Sequence, residues 1–131
     1  MAKISSPNEI RLIIVSGSPK LAEIYSNFFR MAGVQVVKIL HSAQDFLSYV
    51  KSNAAALVGV IILYDYSSLK DRSLQELKQV KEIIPNMKVV LLSNRFLREL
   101  QDDPALFDSV LLKPFTIKEF FDIINNLLSR I

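Results

Sequence analysis

The sequence predicts an α/β fold, a doubly wound five-stranded parallel sheet flanked by about five helices. Two observations predict it. Short apolar runs alternate with longer segments in which apolar residues recur at helical spacing, the pattern of βα units rather than of hairpins. The runs are also apolar at successive positions, as in strands covered on both faces; a half-exposed strand would alternate. With 131 residues, half of them hydrophobic, the chain has enough apolar material for one core and reads as a single domain over residues 1–131.

The first run is Arg11 to Val15, and it stops at Ser16-Gly17-Ser18-Pro19. Ser18 is a good helix N-cap. Pro19 suits the first helical position, since its fixed φ is helical and its missing N–H would have had no partner there. Leu21, Tyr25, Phe28, Phe29 and Ala32 then recur at helical spacing up to Gly33, with Phe28 and Phe29 both expected in the core. Val34 to Ile39 is the second strand. Ser42, with Asp45 three residues later, starts a helix that turns Phe46, Tyr49 and Val50 inward. Val58 to Tyr64 is the third strand. After a polar loop from Tyr66 to Arg72, Leu74, Leu77, Val80 and Ile84 mark an amphipathic helix that Pro85-Asn86 ends. Lys88 to Leu92 is the fourth strand. From Asn94 to Phe107 the pattern is weakest, and a short helix is expected around Phe96 to Leu100, stopped by Asp102-Asp103-Pro104. Val110 to Leu112 is the fifth strand. Thr116, with Glu119 at the capping-box position, starts a last helix whose buried stripe is Phe120, Phe121, Ile124, Leu127 and Leu128.

Composition removes several function classes. The absence of cysteine excludes a disulfide scaffold, a thiolate zinc site and a cysteine nucleophile. The net charge of +3 comes from lysines and arginines scattered along the chain, which favours solubility over nucleic-acid binding. No apolar run approaches the roughly 20 residues needed to cross a bilayer, and the segment from Met1 to Glu9 lacks the apolar middle of a secretory signal. A soluble, cytoplasmic protein that contacts neither nucleic acid nor membrane is expected. His41, the sole histidine, has no second ligand near it in sequence and reads as a loop residue.

In an open parallel sheet the loops leaving the carboxyl ends of the strands converge on a crevice, and ligands bind there. Those ends carry Ser16-Gly17-Ser18, Asp65, Ser93-Asn94 and Lys113-Pro114-Phe115. An acid, a hydroxyl and a cation thus come from three strands to one edge. This arrangement resembles the CheY-like receiver domain of two-component (phosphorelay) response regulators, a flavodoxin-like fold, and the resemblance covers nearly the whole chain. It implies that Asp65 stands where the phosphoryl acceptor stands, Ser93 where the switch hydroxyl stands, and Lys113 where a phosphoryl oxygen is bound. It also implies a cis peptide at Lys113-Pro114, and a histidine kinase or a downstream regulatory protein as partner.

The chemistry at such an edge needs more than the acceptor. A carboxylate attacks a phosphoryl donor only when a divalent cation and a lysine neutralise the transferring group, with a hydroxyl adding a hydrogen bond. Magnesium is held by carboxylate oxygens. The receiver family supplies two adjacent acids directly after the first strand, and this chain has Ser16 and Gly17 in those positions. Asp65, a backbone carbonyl near Ser67 and water would remain as ligands, with Asp71 in the following loop. Losing metal contacts worth several kcal/mol slows transfer by orders of magnitude, at tenfold per roughly 1.4 kcal/mol. The aromatic that the family often places three residues before its lysine is Val110 here.

The expected function is therefore that of a degenerate pseudo-receiver: not an enzyme, without a cofactor, acting by contact with a protein partner. Phe96, Leu97 and Leu106 are candidates either for its contact patch or for the core. Two other readings stand beside it. One is a working phosphoacceptor receiver, phosphorylated at Asp65. The other, of a different class, is a flavin- or nucleotide-binding redox protein that cradles a phosphate with the Ser16 to Pro19 loop, which resembles the phosphate loop of flavodoxin-like flavin reductases. If only acid side chains are missing from the metal side, Ser16→Asp with Gly17→Asp is expected to create magnesium-dependent stability.

Overall fold

Five strands, β1 (Arg11–Ser16), β2 (Gln35–Leu40), β3 (Ile61–Asp65), β4 (Lys88–Ser93) and β5 (Ser109–Leu112), form one sheet in the order β2-β1-β3-β4-β5. Every neighbouring pair is parallel. The computed structural model of the chain describes residues 9–69, 73–94 and 106–129. The three central strands are buried along almost their whole length, as their unbroken apolar runs require, while the edge strand β2 is half exposed.

Four helices, α1 (Pro19–Met31), α2 (Ala43–Asn53), α3 (Ser73–Ile83) and α4 (Ile117–Ser129), are present among the described residues. The fifth helix expected around Phe96 to Leu100 falls outside those residues. Because successive strand residues point to opposite faces, the sheet feeds two cores. On one face Ile13, Val15, Ile62, Tyr64, Val89 and Leu91 pack with Phe46 and Val50 of α2 and with Leu77 and Val80 of α3. On the other, Leu12, Ile14, Ile61, Leu63, Val90 and Leu92 pack with Ala22 and Phe29 of α1 and with Phe120, Ile124 and Leu127 of α4. The sheet is doubly wound.

Caps set the helix starts. Ser18 Oγ accepts the Leu21 N–H at 3.2 Å, with Pro19 at the first position. Ser42 Oγ accepts the Asp45 N–H at 3.0 Å. Thr116 and Glu119 make a reciprocal box, each side chain accepting the other's backbone N–H at 3.1 Å.

Several expectations need correction. The third strand begins at Ile61 and not at Val58: α2 runs on into a 3-10 turn over Ala54–Leu57, and Gly59 then turns the chain with a φ of +81°, a value that suits glycine. Val58 is left 72% exposed, its carbonyl accepting from the Arg11 guanidinium. Phe29 is fully buried but Phe28 is 37% exposed, because consecutive helical residues point about 100° apart and one helix stripe cannot bury both. Tyr49 and Phe121 are half-buried. Of the two places left open for Leu106 the structure shows the core, where it packs in the cluster with residues of α2 and α3, while Phe96 and Leu97 lie outside the described residues. Among the described residues no helix is long and apolar enough to cross a membrane.

Candidate functional site

The strand order turns back at β1, which runs between β2 and β3. The chain leaves β1 through α1 on one face of the sheet and reaches β3 through α2 on the other, so the carboxyl ends of β1 and β3 form the switch point at which open α/β sheets bind ligands. The register places Ser16 directly beside Asp65 at that point. Asp65 is the last residue of β3 and its side chain is 0% exposed.

Both carboxylate oxygens of Asp65 have partners. Oδ1 accepts from Lys113 Nζ at 2.8 Å and lies 3.2 Å from the Ser67 hydroxyl, while Oδ2 accepts from the Ser16 hydroxyl at 2.9 Å. The Ser67 hydroxyl also lies 3.3 Å from Asn94 Oδ1, so its single proton serves one acceptor at a time. Lys113 arrives from the end of β5, where its N–H donates to the Ser93 carbonyl at 2.8 Å and ties the loop to β4. The Lys113-Pro114 peptide is cis. Burial depresses the Lys113 pKa, but hydrogen bonding to Asp65 and Tyr25 and their charges raise it by more, and the net shift is upward. The ammonium lies 5.7 Å from the Tyr25 ring centroid.

Ser93 is buried at the end of β4, one residue beyond Leu92, which is the register partner of Asp65. The acid, hydroxyl and lysine expected from sequence therefore share one edge, and Asp65 and Lys113 are in direct contact. The Gly17 N–H donates to Ser68 Oγ at 2.9 Å. His41 Nδ1 lies 3.2 Å from the Ser16 carbonyl and lines the loop. Sequence reasoning missed the parts played by Ser67, Ser68 and Tyr25. The available signal was Asp65-Tyr66-Ser67-Ser68, an acid followed by two hydroxyls within one 3-10 turn, Tyr66–Ser68, which returns them to the strand end.

No protein-family model matches the sequence, and no curated protein matches it. Solved structures do. A pilus assembly-related protein of Burkholderia pseudomallei aligns over 98% of this chain and 96% of its own, with a TM-score of 0.78 at 14% identity. A response regulator receiver domain protein of Clostridium thermocellum aligns over 92% and 95%, with a TM-score of 0.76 at 18% identity. A chain of the CheX-CheY-BeF3-Mg+2 complex of Borrelia burgdorferi aligns over 94% and 98%, with a TM-score of 0.75 at 16% identity.

This is the receiver fold.

At such identities the likeness is one of fold, so the edge has to be judged on its own groups. A receiver edge that holds magnesium needs several oxygen ligands, carboxylates above all. Here Asp65 is surrounded by an ammonium and hydroxyls, and Ser16 already donates its proton to it. Among the described residues no cluster of three or more His, Asp or Glu side chains could hold a metal ion, and Asp71 lies outside those residues. Among the described residues the donor set, one carboxylate with hydroxyls and an ammonium, does not fit magnesium. Nor does the first loop hold its amides ready for a phosphate: the N–H groups of Gly17, Ser18 and Leu21 donate to the hydroxyls of Ser68, Ser16 and Ser18.

Beside the receiver edge lies an open apolar groove of about 550 Å³, lined by Ile24, Tyr25, Phe28, Pro114 and Phe115, with Asn94 and Lys113 as its polar members. Along α1 the exposed residues Ile24, Phe28 and Met31 follow one another at helical spacing.

Proposed function

We propose that the chain is a receiver-like regulatory module of two-component signalling that acts by binding a partner protein and not through magnesium-dependent phosphorylation of Asp65. One observation carries this reading: the carboxylate at the acceptor position is fully buried and engaged on both oxygens by Lys113, Ser67 and Ser16. In-line attack needs a lone pair aimed at phosphorus and a counter-charge on the transferring group. Lys113 supplies part of that charge, while among the described residues the cation side offers the neutral hydroxyls of Ser16, Ser67 and Ser68.

The structural neighbours support the signalling half, since one is a response regulator receiver domain and another comes from a complex of CheX with CheY. The exposed stripe of α1 and the adjoining groove support the partner half, because contiguous apolar surface of this kind marks contact sites. The test is to incubate the chain with magnesium and either acetyl phosphate or beryllofluoride, and to follow the acetyl phosphate reaction by intact mass and the beryllofluoride reaction by amide spectra. No mass gain and no spectral shift around Asp65 are expected. Stoichiometric modification that disappears in Asp65→Asn would overturn the reading and restore a working phosphoacceptor.

A further inference from the structure

On the cation side of this edge two stretches of main chain meet, and among the described residues no acid but Asp65 stands there. The turn Tyr66–Ser68, closed by the Leu69 N–H on the Tyr66 carbonyl at 3.1 Å, folds back over the loop between β1 and α1. Ser68 Oγ donates to the Asp65 carbonyl at 2.9 Å, accepts the Gly17 N–H at 2.9 Å and lies 3.3 Å from Ser16 Oγ. One hydroxyl thereby ties the end of β3 to the end of β1. At Gly17 the two backbones meet: a Cβ there would stand 2.2 Å from the Ser68 carbonyl oxygen and 3.1 Å from its carbon. The obstacle is main chain held by the turn's own hydrogen bonds, so no side-chain rotation clears it. Gly17 is required by this close approach and not by its dihedral angles.

We infer that Ser16, Gly17 and Ser68 form a plug that occupies the cation side of the receiver edge, so that restoring the missing acid side chains does not reopen a metal site. The inference deepens the function proposed above and rests on its placing of Asp65 at the acceptor position. It reverses one expectation from the sequence, because Ser16→Asp with Gly17→Asp now predicts a damaged edge and no gain of magnesium response.

The experiment is a manganese titration of the isotope-labelled chain followed by amide spectra, a readout independent of any activity. Paramagnetic broadening confined to Ser16, Gly17, Asp65 and Ser67 is not expected, and saturable broadening there overturns the plug. In parallel, Gly17→Ala is expected to melt several degrees below the parent. Ser16→Asp with Gly17→Asp is expected to melt lower still and to show no rise in melting temperature with magnesium; a magnesium-dependent rise overturns the inference. Should the double variant fail to fold, Ser16→Asp alone keeps Gly17 against Ser68 and is read by the same manganese titration, where new broadening at the edge again overturns the plug. Manganese bound at Asp65 without phosphoryl uptake removes the plug and leaves the partner-binding function standing. Phosphoryl uptake without local broadening does the reverse.

Discussion

Replacing Lys113 with methionine isolates the charge pair at the sheet edge. The Asp65 side chain is 0% exposed and that of Lys113 is 17% exposed, with 2.8 Å between them. Truncating one partner of a buried pair leaves an uncompensated charge and typically costs ~3–5 kcal/mol. Two features reduce that figure here. The Ser16 and Ser67 hydroxyls remain on the carboxylate, and the lysine enters from the solvent side, where water can follow once it is gone. The expected loss is about 2–3 kcal/mol, or a melting temperature lower by roughly 10 °C for a domain of this length. The backbone bond from Lys113 to Ser93 is untouched, so the route of the loop is preserved. Adding Asp65→Asn removes the stranded charge and should recover most of the loss. The assay is a double-mutant cycle on urea and thermal unfolding. A Lys113→Met protein that melts within a degree or two of the parent, with coupling under about 0.5 kcal/mol, would refute the claim that the buried Asp65 carboxylate depends on Lys113.

Three further outcomes are expected. The raised Lys113 pKa means that its contribution to stability is fully present below the ordinary lysine value and lost as pH climbs through the higher folded-state value; urea midpoints between pH ~9 and ~11 should therefore fall more in the parent than in Lys113→Met. Lys81, whose pKa burial holds down despite Asp108, contributes with the opposite sign in both proteins and cancels in that comparison. Phe29→Ala should cost about 3–5 kcal/mol, since Phe29 is fully buried with its ring 4.4 Å from that of Phe120, whereas Phe28→Ala should cost about 1 kcal/mol; equal losses in chemical unfolding would mean that α1 is rotated from the arrangement described. Thr116→Ala removes the reciprocal box at the start of α4 and should cost about 1 kcal/mol, measured by the same unfolding curves.

What could be read from the sequence was local in the chain or repeated along it. Ser18, Ser42 and Thr116 cap within three residues, so their roles are visible without a fold. The strands that the sheet buries are the ones with unbroken apolar runs, and Asp65 and Lys113 stood out because each ends such a run. Composition could not separate Val58, an exposed turn residue, from the strand that follows; Gly59 was the signal that outweighed it. Phe28 and Phe29 are equal by hydropathy and are separated only by the rotation of the helix against the sheet. Ser67 and Ser68 looked like ordinary members of a polar loop. The approach of Ser68 to Gly17 joins residues 51 positions apart and depends on the close meeting of two backbones, which no spacing rule encodes.

Charge and space at this edge express one constraint. With Asp65 and Lys113 as its ion pair the edge is formally neutral, the Ser16 and Ser67 hydroxyls add to the carboxylate's partners and the Ser68 hydroxyl donates to the Asp65 backbone carbonyl, so the main chain can close over it. A second carboxylate would add negative charge in a low-dielectric setting, and the lysine is already engaged. Ser16→Asp makes this testable without any metal. The new acid would face Asp65, and like charges so close force one carboxyl to hold its proton to a higher pH than usual. The folded state then binds more protons than the unfolded chain above the ordinary aspartate range of about 4, so the variant should lose stability, relative to the parent, as pH rises from about 4 to 7. Urea midpoints of the two proteins should lie closest at the acid end and diverge toward neutrality, with magnesium making no difference. A penalty independent of pH would mean that the new carboxyl has swung out to water, and that the closure over Asp65 is looser than its hydrogen bonds imply.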